Sequence, residues 1–267
     1  MWITHRKGGG GIRQKIRDQL DYKVVKGNDL IQKTKSDLTI IEQKLIAYVI
    51  SQIKPTDEQF QIYEIKISDF SKIIGTSAKS VYEDFRAIID DLDDKACWIR
   101  VNGAYTKFRW FSESSYIEDK GTIHIMLNSM LKQYLMDLSK NFTSYELYNV
   151  MAFKSKYSMR LYELFKSYEY KSLIEFNIDC LKDLICATQY ESYRDFNTRV
   201  LTKAIQEINQ YTNLVIDHEC IGEHGDVVEP KQGRRVCGLR FHITRKEPLD
   251  GYAAYLQVIK KLDKRVA

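Results

Sequence analysis

Proline is scarce in this chain, 3 in 267 residues, and glycine numbers only 13. Such a composition excludes a collagen-like repeat or a Pro/Gly-rich low-complexity chain. No stretch approaches the roughly 18 consecutive apolar residues of a membrane helix, so no membrane partner is expected. Met1 to Gly11 places charge and glycine where a secretion signal needs an apolar core. A cytoplasmic protein is therefore expected. The five cysteines, Cys97, Cys180, Cys186, Cys220 and Cys237, are odd in number and have no C-x-x-C spacing. In a chain too long to need disulfide staples they read as reduced thiols, mostly buried. His218, Cys220, His224 and Cys237 come near one another without a zinc-binding spacing, so neither a metal nor a cofactor is expected. The segment RKGGGG (6–11) follows no strand and precedes no Gly-Lys-Ser/Thr, which removes a phosphate-cradling loop. The 18 tyrosines include no shortage of nucleophiles for DNA nicking. However, the histidines His5, His124, His218, His224 and His242 contain no His-x-His pair to hold the metal such a nuclease uses. No catalytic residue, and no enzyme, is expected.

What is present is an ordinary globular balance, 44% hydrophobic and 29% charged, sufficient for one large domain or two small ones. The net charge of +5 is unevenly spread: +6 over residues 1–35, −4 over 36–125 and +3 over 126–267. A basic lead, an acidic middle and a basic end permit contact with a polyanion, as they permit a solvated surface of mixed charge.

An internal repeat is the most informative feature. Residues 63–86, YEIKISDFSKIIGTSAKSVYEDFR, align without a gap on residues 174–197, IEFNIDCLKDLICATQYESYRDFN. In each copy alternation comes first (Tyr63, Ile65, Ile67; Ile174, Phe176, Ile178), the period of a half-buried strand. A short apolar-periodic helix follows (Phe70, Ile73, Ile74; Leu181, Leu184, Ile185), then a polar turn at Gly75–Lys79 or Cys186–Tyr190. A longer amphipathic helix comes next, with Tyr82, Phe85, Ile89 and Leu92, or Tyr193, Phe196, Val200, Ala204 and Ile208, on its buried face. Each copy has a helix before it. The first opens on a Thr39/Glu42 capping box ahead of Leu38, Ile41, Leu45, Tyr48 and Val49. The second is FKSKYSMRLYELFKSY (153–168), where Tyr157, Leu161, Leu164 and Tyr168 form a core face and Lys156 and Arg160, four apart, share the other side.

Strands follow each copy, around Asn102-Gly103 and Lys120-Gly121 in the first case and as NLVIDHECI and VCGLRFHIT in the second. Helix, strand, helix, turn, helix and hairpin is the order of a winged helix. The expectation is an α+β chain of two tandem winged-helix domains: a basic flexible lead (1–35), domain 1 (36–140), domain 2 (141–248) and a basic tail (249–267).

LTIIEQKLIAYVISQI (38–53), FKSKYSMRLYELFKSY (153–168) and DFNTRVLTKAIQEINQYTNLVID (195–217) resemble, in order, the hallmark blocks of the theta-type, iteron-binding plasmid replication initiators. The resemblance spans roughly residues 25 to 245. It implies a bacterial, plasmid-associated, non-enzymatic protein that binds double-stranded DNA. Monomers would bind direct repeats at the origin and help melt a neighbouring AT-rich segment, with host initiator and replicative helicase as partners. A homodimer formed through domain 1 would bind an inverted repeat and repress the initiator's own gene, and domain 2 would make the stronger major-groove contact.

In a helix-turn-helix the second helix enters the major groove by its N-terminal half. With Tyr193, Phe196 and Val200 inward, Arg194, Asn197, Thr198, Arg199 and Lys203 are the expected DNA-reading residues of domain 2, since Arg suits guanine and Asn suits adenine. Backbone contacts are expected from Arg234 and Arg235 at the wing base and from Lys156 and Arg160. In domain 1, Lys79, Ser80, Glu83 and Arg86 occupy the matching positions, with Lys79, Ser80 and Arg86 as the candidate contacts, followed by the acidic run Asp90, Asp91, Asp93 and Asp94. That run repels phosphate, so weaker contact is expected there. A tandem winged-helix transcription regulator uses the same contacts. An interaction module that no longer binds DNA would leave the basic face around Arg194 and Arg199 without a purpose.

Overall fold

The computed structural model describes residues 18–75, 78–101, 103–136, 138–230 and 235–246, with the backbone alone for 78–84. The chain opens with β1 (Lys23–Gly27), α1 (Asn28–Lys33) and β2 (Thr34–Lys35). The first winged helix follows as α2 (Ile40–Ile50), β3 (Ile62–Lys66), α3 (Ile67–Ile74), α4 (Ala78–Asp94), an extra hairpin β4 (Cys97–Val101) and β5 (Ala104–Phe108), then β6 (Phe111–Ile117) and β7 (Thr122–Leu127). A connector of α5 (Lys132–Leu135), β8 (Phe142–Glu146) and α6 (Tyr148–Met151) leads to α7 (Lys156–Ser167). The second winged helix continues with β9 (Leu173–Asn177), α8 (Ile178–Leu184), a long helix running through α9 (Tyr193–Phe196), a π turn (Asn197–Leu201) and α10 (Thr202–Tyr211), and the hairpin β10 (Leu214–Ile221) and β11 (Gly238–Arg245).

The two units share one topology. In the first, β3 pairs antiparallel with β7 and β7 with β6; in the second, β9 pairs with β11 and β11 with β10. The strand before each helix-turn-helix therefore joins the last strand of the unit, which closes the wing onto the helices. The repeat extends to backbone conformation. Gly75 (φ 74°) and Cys186 (φ 54°), equivalent positions in the aligned copies, both adopt the left-handed conformation that ends α3 and opens the turn after α8. Glycine takes that conformation at no steric cost, whereas a residue with a Cβ is strained by roughly 1–2 kcal/mol.

The flexible lead expected over 1–35 is corrected from residue 18 onward. β1 runs antiparallel to β8, Lys23 opposite Glu146 and Gly27 opposite Phe142, while β2 pairs with β4. Leu20 and Val24 are fully buried. The partners of these short strands lie more than sixty residues away, so local sequence carries little sign of them.

α2 starts where the capping box requires: the Glu42 N–H donates to Thr39 Oγ1 at 3.3 Å and the Thr39 N–H to Glu42 Oε2 at 2.9 Å. From Leu45 to Ile50 every residue of α2 is buried. α7 is enclosed almost as completely and is not the half-solvated helix its charges suggest. It carries Phe165 against Phe241 of β11 at 4.8 Å and Tyr162 against Tyr145 of β8 at 5.4 Å, so one helix serves the cores of both halves. Each such fully buried aromatic contributes about 1.5–3 kcal/mol.

Candidate nucleic-acid interface

The second helix-turn-helix is assembled by local caps and one buried cation. Asn177 Oδ1 accepts from the N–H groups of Asp179 and Cys180 and starts α8. Ser192 caps the reading helix: its Oγ accepts from the Asp195 N–H at 3.1 Å and donates to Asp195 Oδ2 at 2.9 Å. Between the helices, buried Lys182 donates to the Glu191 carbonyl at 2.9 Å and lies 5.5 Å from the Phe196 ring centroid, pinning the turn to the helix it precedes.

Phe196, Val200, Leu201, Ala204 and Ile208 are fully buried beneath the reading helix. Consecutive burial of Val200 and Leu201 coincides with the π turn, where the Thr202 N–H reaches back five residues to the Asn197 carbonyl. π turns insert one residue into an α-helix and rotate everything beyond them. The outer face then carries Arg194, Thr198, Arg199 and Lys203, all exposed as expected, with Asp195, Thr202 and Gln206 beside them. Asn197 is set back: it is half-buried, and its Oδ1 is enclosed without a hydrogen-bond partner. The residues that sequence reasoning missed are Asp195, which can accept from cytosine, and Gln206, which can pair with adenine. Helical spacing was their signal: Asp195 lies four residues before Arg199 and Gln206 seven after it, on the same side.

Arg199 sits 3.9 Å from Asp195, both more than half exposed, a pair loose enough to be exchanged for a ligand. Neither Arg194 nor Lys203 forms an ion pair among the described residues. A cleft of about 500 Å³ separates the start of the reading helix from the wing base, with Asn177, Lys182, Tyr193, Arg194 and Arg235 on its walls. Arg235 is exposed and 3.7 Å from Glu223; Arg234 lies outside the described residues. Tyr193 donates to or accepts from Cys220 Sγ at 2.9 Å, tying the helix to β10. The thiols are free: Cys97 and Cys220 are buried, Cys186 and Cys237 half-buried, and Cys180 is exposed. No three potential metal ligands cluster among the described residues.

The backbone contacts expected of α7 need correction. Arg160 does not share an outer face with Lys156. Its guanidinium turns inward and donates to the Thr34 carbonyl at 2.6 Å, beside Cys97, Cys186 and Glu163. Lys156 is bound to Asp37 at 2.6 Å. Both are committed to joining α7 to the segment before α2. Further contacts join neighbouring elements: Lys35 of β2 pairs with Asp183 of α8, and Glu207 of α10 accepts from the N–H groups of Lys154 and Ser155, just before α7.

In the first unit Lys79 and Ser80 lie at the start of α4, and their side chains are outside the described set. Arg86 is exposed. Asp90, Asp91 and Asp94 are exposed farther along the helix, while Asp93 accepts from Ser114 Oγ at 2.7 Å. The second half of α4 thus carries four aspartates, whereas that of the second reading helix carries only Lys203 and Glu207 and is balanced in charge.

Comparison with known proteins agrees with this architecture. The family described as "Initiator Replication protein, WH1" matches residues 23–166, and "Initiator Rep protein, WH2" matches residues 177–243. The first match takes in β1 and most of α7. An Escherichia coli replication initiation protein is 28% identical over 240 residues, covering 85% of this chain and 71% of that protein. An uncharacterized 27.6 kDa protein of E. coli is 21% identical over 178 residues, covering 63% of this chain and 74% of its own. Among solved structures, the Pi initiator protein in complex with iteron DNA superposes with a TM-score of 0.69 at 19% identity, over 85% of this chain and 99% of that one, a likeness of fold.

Proposed function

Because this chain belongs to the initiator replication protein family, we propose that it starts plasmid replication by binding direct repeats in double-stranded origin DNA, its second winged helix reading the sequence. The observation that carries this reading is the outer face of the second reading helix. Arg194, Thr198, Arg199, Thr202, Lys203 and Gln206 are all solvent-facing on one continuous element whose opposite side is fully buried. That is a rigid rod displaying base-reading chemistry, fixed by its own core.

Division of labour follows from charge. The acidic second half of α4 keeps the first unit shallow on DNA and leaves it suited to protein contact. A dimer formed through that unit, bound at an inverted repeat, represses the protein's own gene, and the host initiator and replicative helicase are recruited to the repeat-bound monomer. The protein acts in the bacterial cytoplasm as a binding protein without catalytic chemistry of its own.

The test is fluorescence anisotropy on duplexes carrying direct repeats from the DNA around the gene, against a scrambled duplex, at several salt concentrations. Arg194→Ala and Arg199→Ala should each weaken specific binding by about 1–3 kcal/mol and relax preference at one base pair. Lys203→Ala should weaken specific and scrambled duplexes alike and flatten the salt dependence by about one phosphate. Equal affinity for repeat and scrambled DNA would overturn the proposal, and specific binding confined to a single inverted repeat would make the protein a transcription regulator.

A further inference from the structure

The hairpin β4–β5 has no counterpart in the second unit, and neither the helix-turn-helix nor the wing uses it. With β2 it forms a three-stranded sheet in the order β2-β4-β5. Its inner face carries Cys97, Ile99 and Phe108, all buried. Strand alternation sends Trp98 and Arg100 of β4, and Tyr105 and Lys107 of β5, to the other side. Trp98 lies opposite Lys107, and Arg100 opposite Tyr105.

The outer face is thus a two-by-two checkerboard of rings and cations. Lys107 Nζ is 5.5 Å from the Trp98 ring centroid and the Arg100 guanidinium 5.2 Å from that of Tyr105. Trp98 is 44% exposed and Tyr105 62%, among the largest apolar groups left in solvent. Arg100 and Lys107 form no ion pair among the described residues, so the face carries unopposed positive charge. Lys35 of β2, opposite Trp98, extends the row and is tied to Asp183 of α8, the first helix of the second helix-turn-helix. The face therefore borders the DNA-reading domain.

We infer that this face is a stacking platform for single-stranded DNA, Trp98 and Tyr105 each taking a base while Arg100 and Lys107 hold the phosphates between. The inference rests on the proposed reading of the second domain, which would hold duplex close by. Diagonal neighbours across a strand pair stand about 7–8 Å apart. Two rings on a sheet at that separation serve successive unstacked bases, and every base offers a π-face, so little sequence preference follows. Duplex DNA does not fit, because its base faces are hidden and a flat sheet cannot follow them into a groove. A second copy packing face to face would set Arg100 and Lys107 against their own symmetry mates or close neighbours, a like-charge arrangement that opposes association.

The experiment uses the full chain and a fluorescein-labelled dT 20-mer, with the duplex repeat as control. Trp98→Ala with Tyr105→Ala should lower affinity for the single strand at least tenfold, the worth of one lost stack, and leave duplex affinity within twofold. Trp98→Phe with Tyr105→Phe should retain most single-strand binding. Arg100→Glu with Lys107→Glu, which leaves both rings in place, provides an independent variant should the alanine pair unfold. Unchanged single-strand affinity in the alanine pair and the charge-reversal pair would overturn the platform, as would tighter binding of an RNA 20-mer than of DNA. A shift from dimer to monomer in sedimentation, without loss of single-strand binding, would assign the face to a second copy instead. The wild-type protein separates the two proposals: absence of repeat-specific duplex binding removes the origin reading, while ring-dependent single-strand binding stands or falls separately.

Discussion

Replacing Glu163 by Gln removes one charge from the interior and almost no volume. Glu163 lies on α7 with 7% of its side chain exposed; its Oε1 is 2.6 Å from Lys26 Nζ, itself 6% exposed, and also accepts from the Tyr145 hydroxyl. Burial holds Tyr145 protonated, well above the usual phenol range, so that hydroxyl is a lasting donor and not a competing charge. With Gln at 163, Lys26 remains on β1 with no counter-charge in a place water scarcely reaches. Breaking one side of a buried pair costs about 3–5 kcal/mol, a fifth or more of a typical domain stability of roughly 5–15 kcal/mol. Urea unfolding followed by far-UV circular dichroism should show the midpoint falling with an unchanged slope. Lys26→Met combined with Glu163→Gln should recover most of the loss, because neither charge is then stranded. A loss below about 1 kcal/mol in Glu163→Gln, or a double variant no more stable than the single one, would refute the idea that this pair locks β1 onto α7.

Buried Lys44 has its pKa lowered to about 8, chiefly by desolvation and against the pull of Glu207. Between pH 8 and 9.5 the folded state therefore binds fewer protons than the unfolded one, and stability should rise with pH across that window; in Lys44→Met, unfolding curves should show a flatter rise and a gain of about 1–3 kcal/mol at pH 7. Cys186→Gly should relieve the left-handed strain and raise stability by about 1 kcal/mol, read as a higher Tm by calorimetry; a lower Tm would mean that the half-buried thiol contributes more than the backbone costs. Arg160→Lys should lower stability by about 2 kcal/mol through loss of the hydrogen bond to Thr34, yet leave the salt dependence of DNA binding unchanged. A shallower salt slope in that variant would return Arg160 to the phosphate backbone.

Much of the fold was legible because it is written in short-range periods. The alternation of Tyr63, Ile65 and Ile67 and of Ile174, Phe176 and Ile178, followed by helical spacing, is enough to locate both helix-turn-helix units. What escaped depends on partners far along the chain. Lys26 looks like a surface cation in KVVKG and is buried because Glu163, 137 residues later, meets it. Arg160 lies four residues from Lys156, which puts both on one helical side, yet each is spoken for: one reaches inward to Thr34 and the other binds Asp37. A helix packed from both sides has no free face, and its sequence records only that it is amphipathic. Arg194, Thr198, Arg199 and Lys203 were predictable as exposed because the core face of their helix is regular up to Val200. Asn197, next to buried Phe196 and four residues from Tyr193, borders the core face, and Gln206, seven residues after Arg199, falls on the outer row by helical period; what the π turn adds is the burial of Leu201 beside Val200.

The pairing of β1 with β8 also bears on how the protein is made. β1 must wait for its lock: with Glu163 emerging 137 residues after Lys26, and synthesis at roughly 5–20 residues per second, the delay is about 7–27 s. Until β8 emerges, β1 of the nascent first domain is an open strand, with Val24 in water. Completion of that domain is thereby tied to arrival of β8 and then α7, and a chain that stops short of β8 is left with an unpaired edge that can recruit another strand.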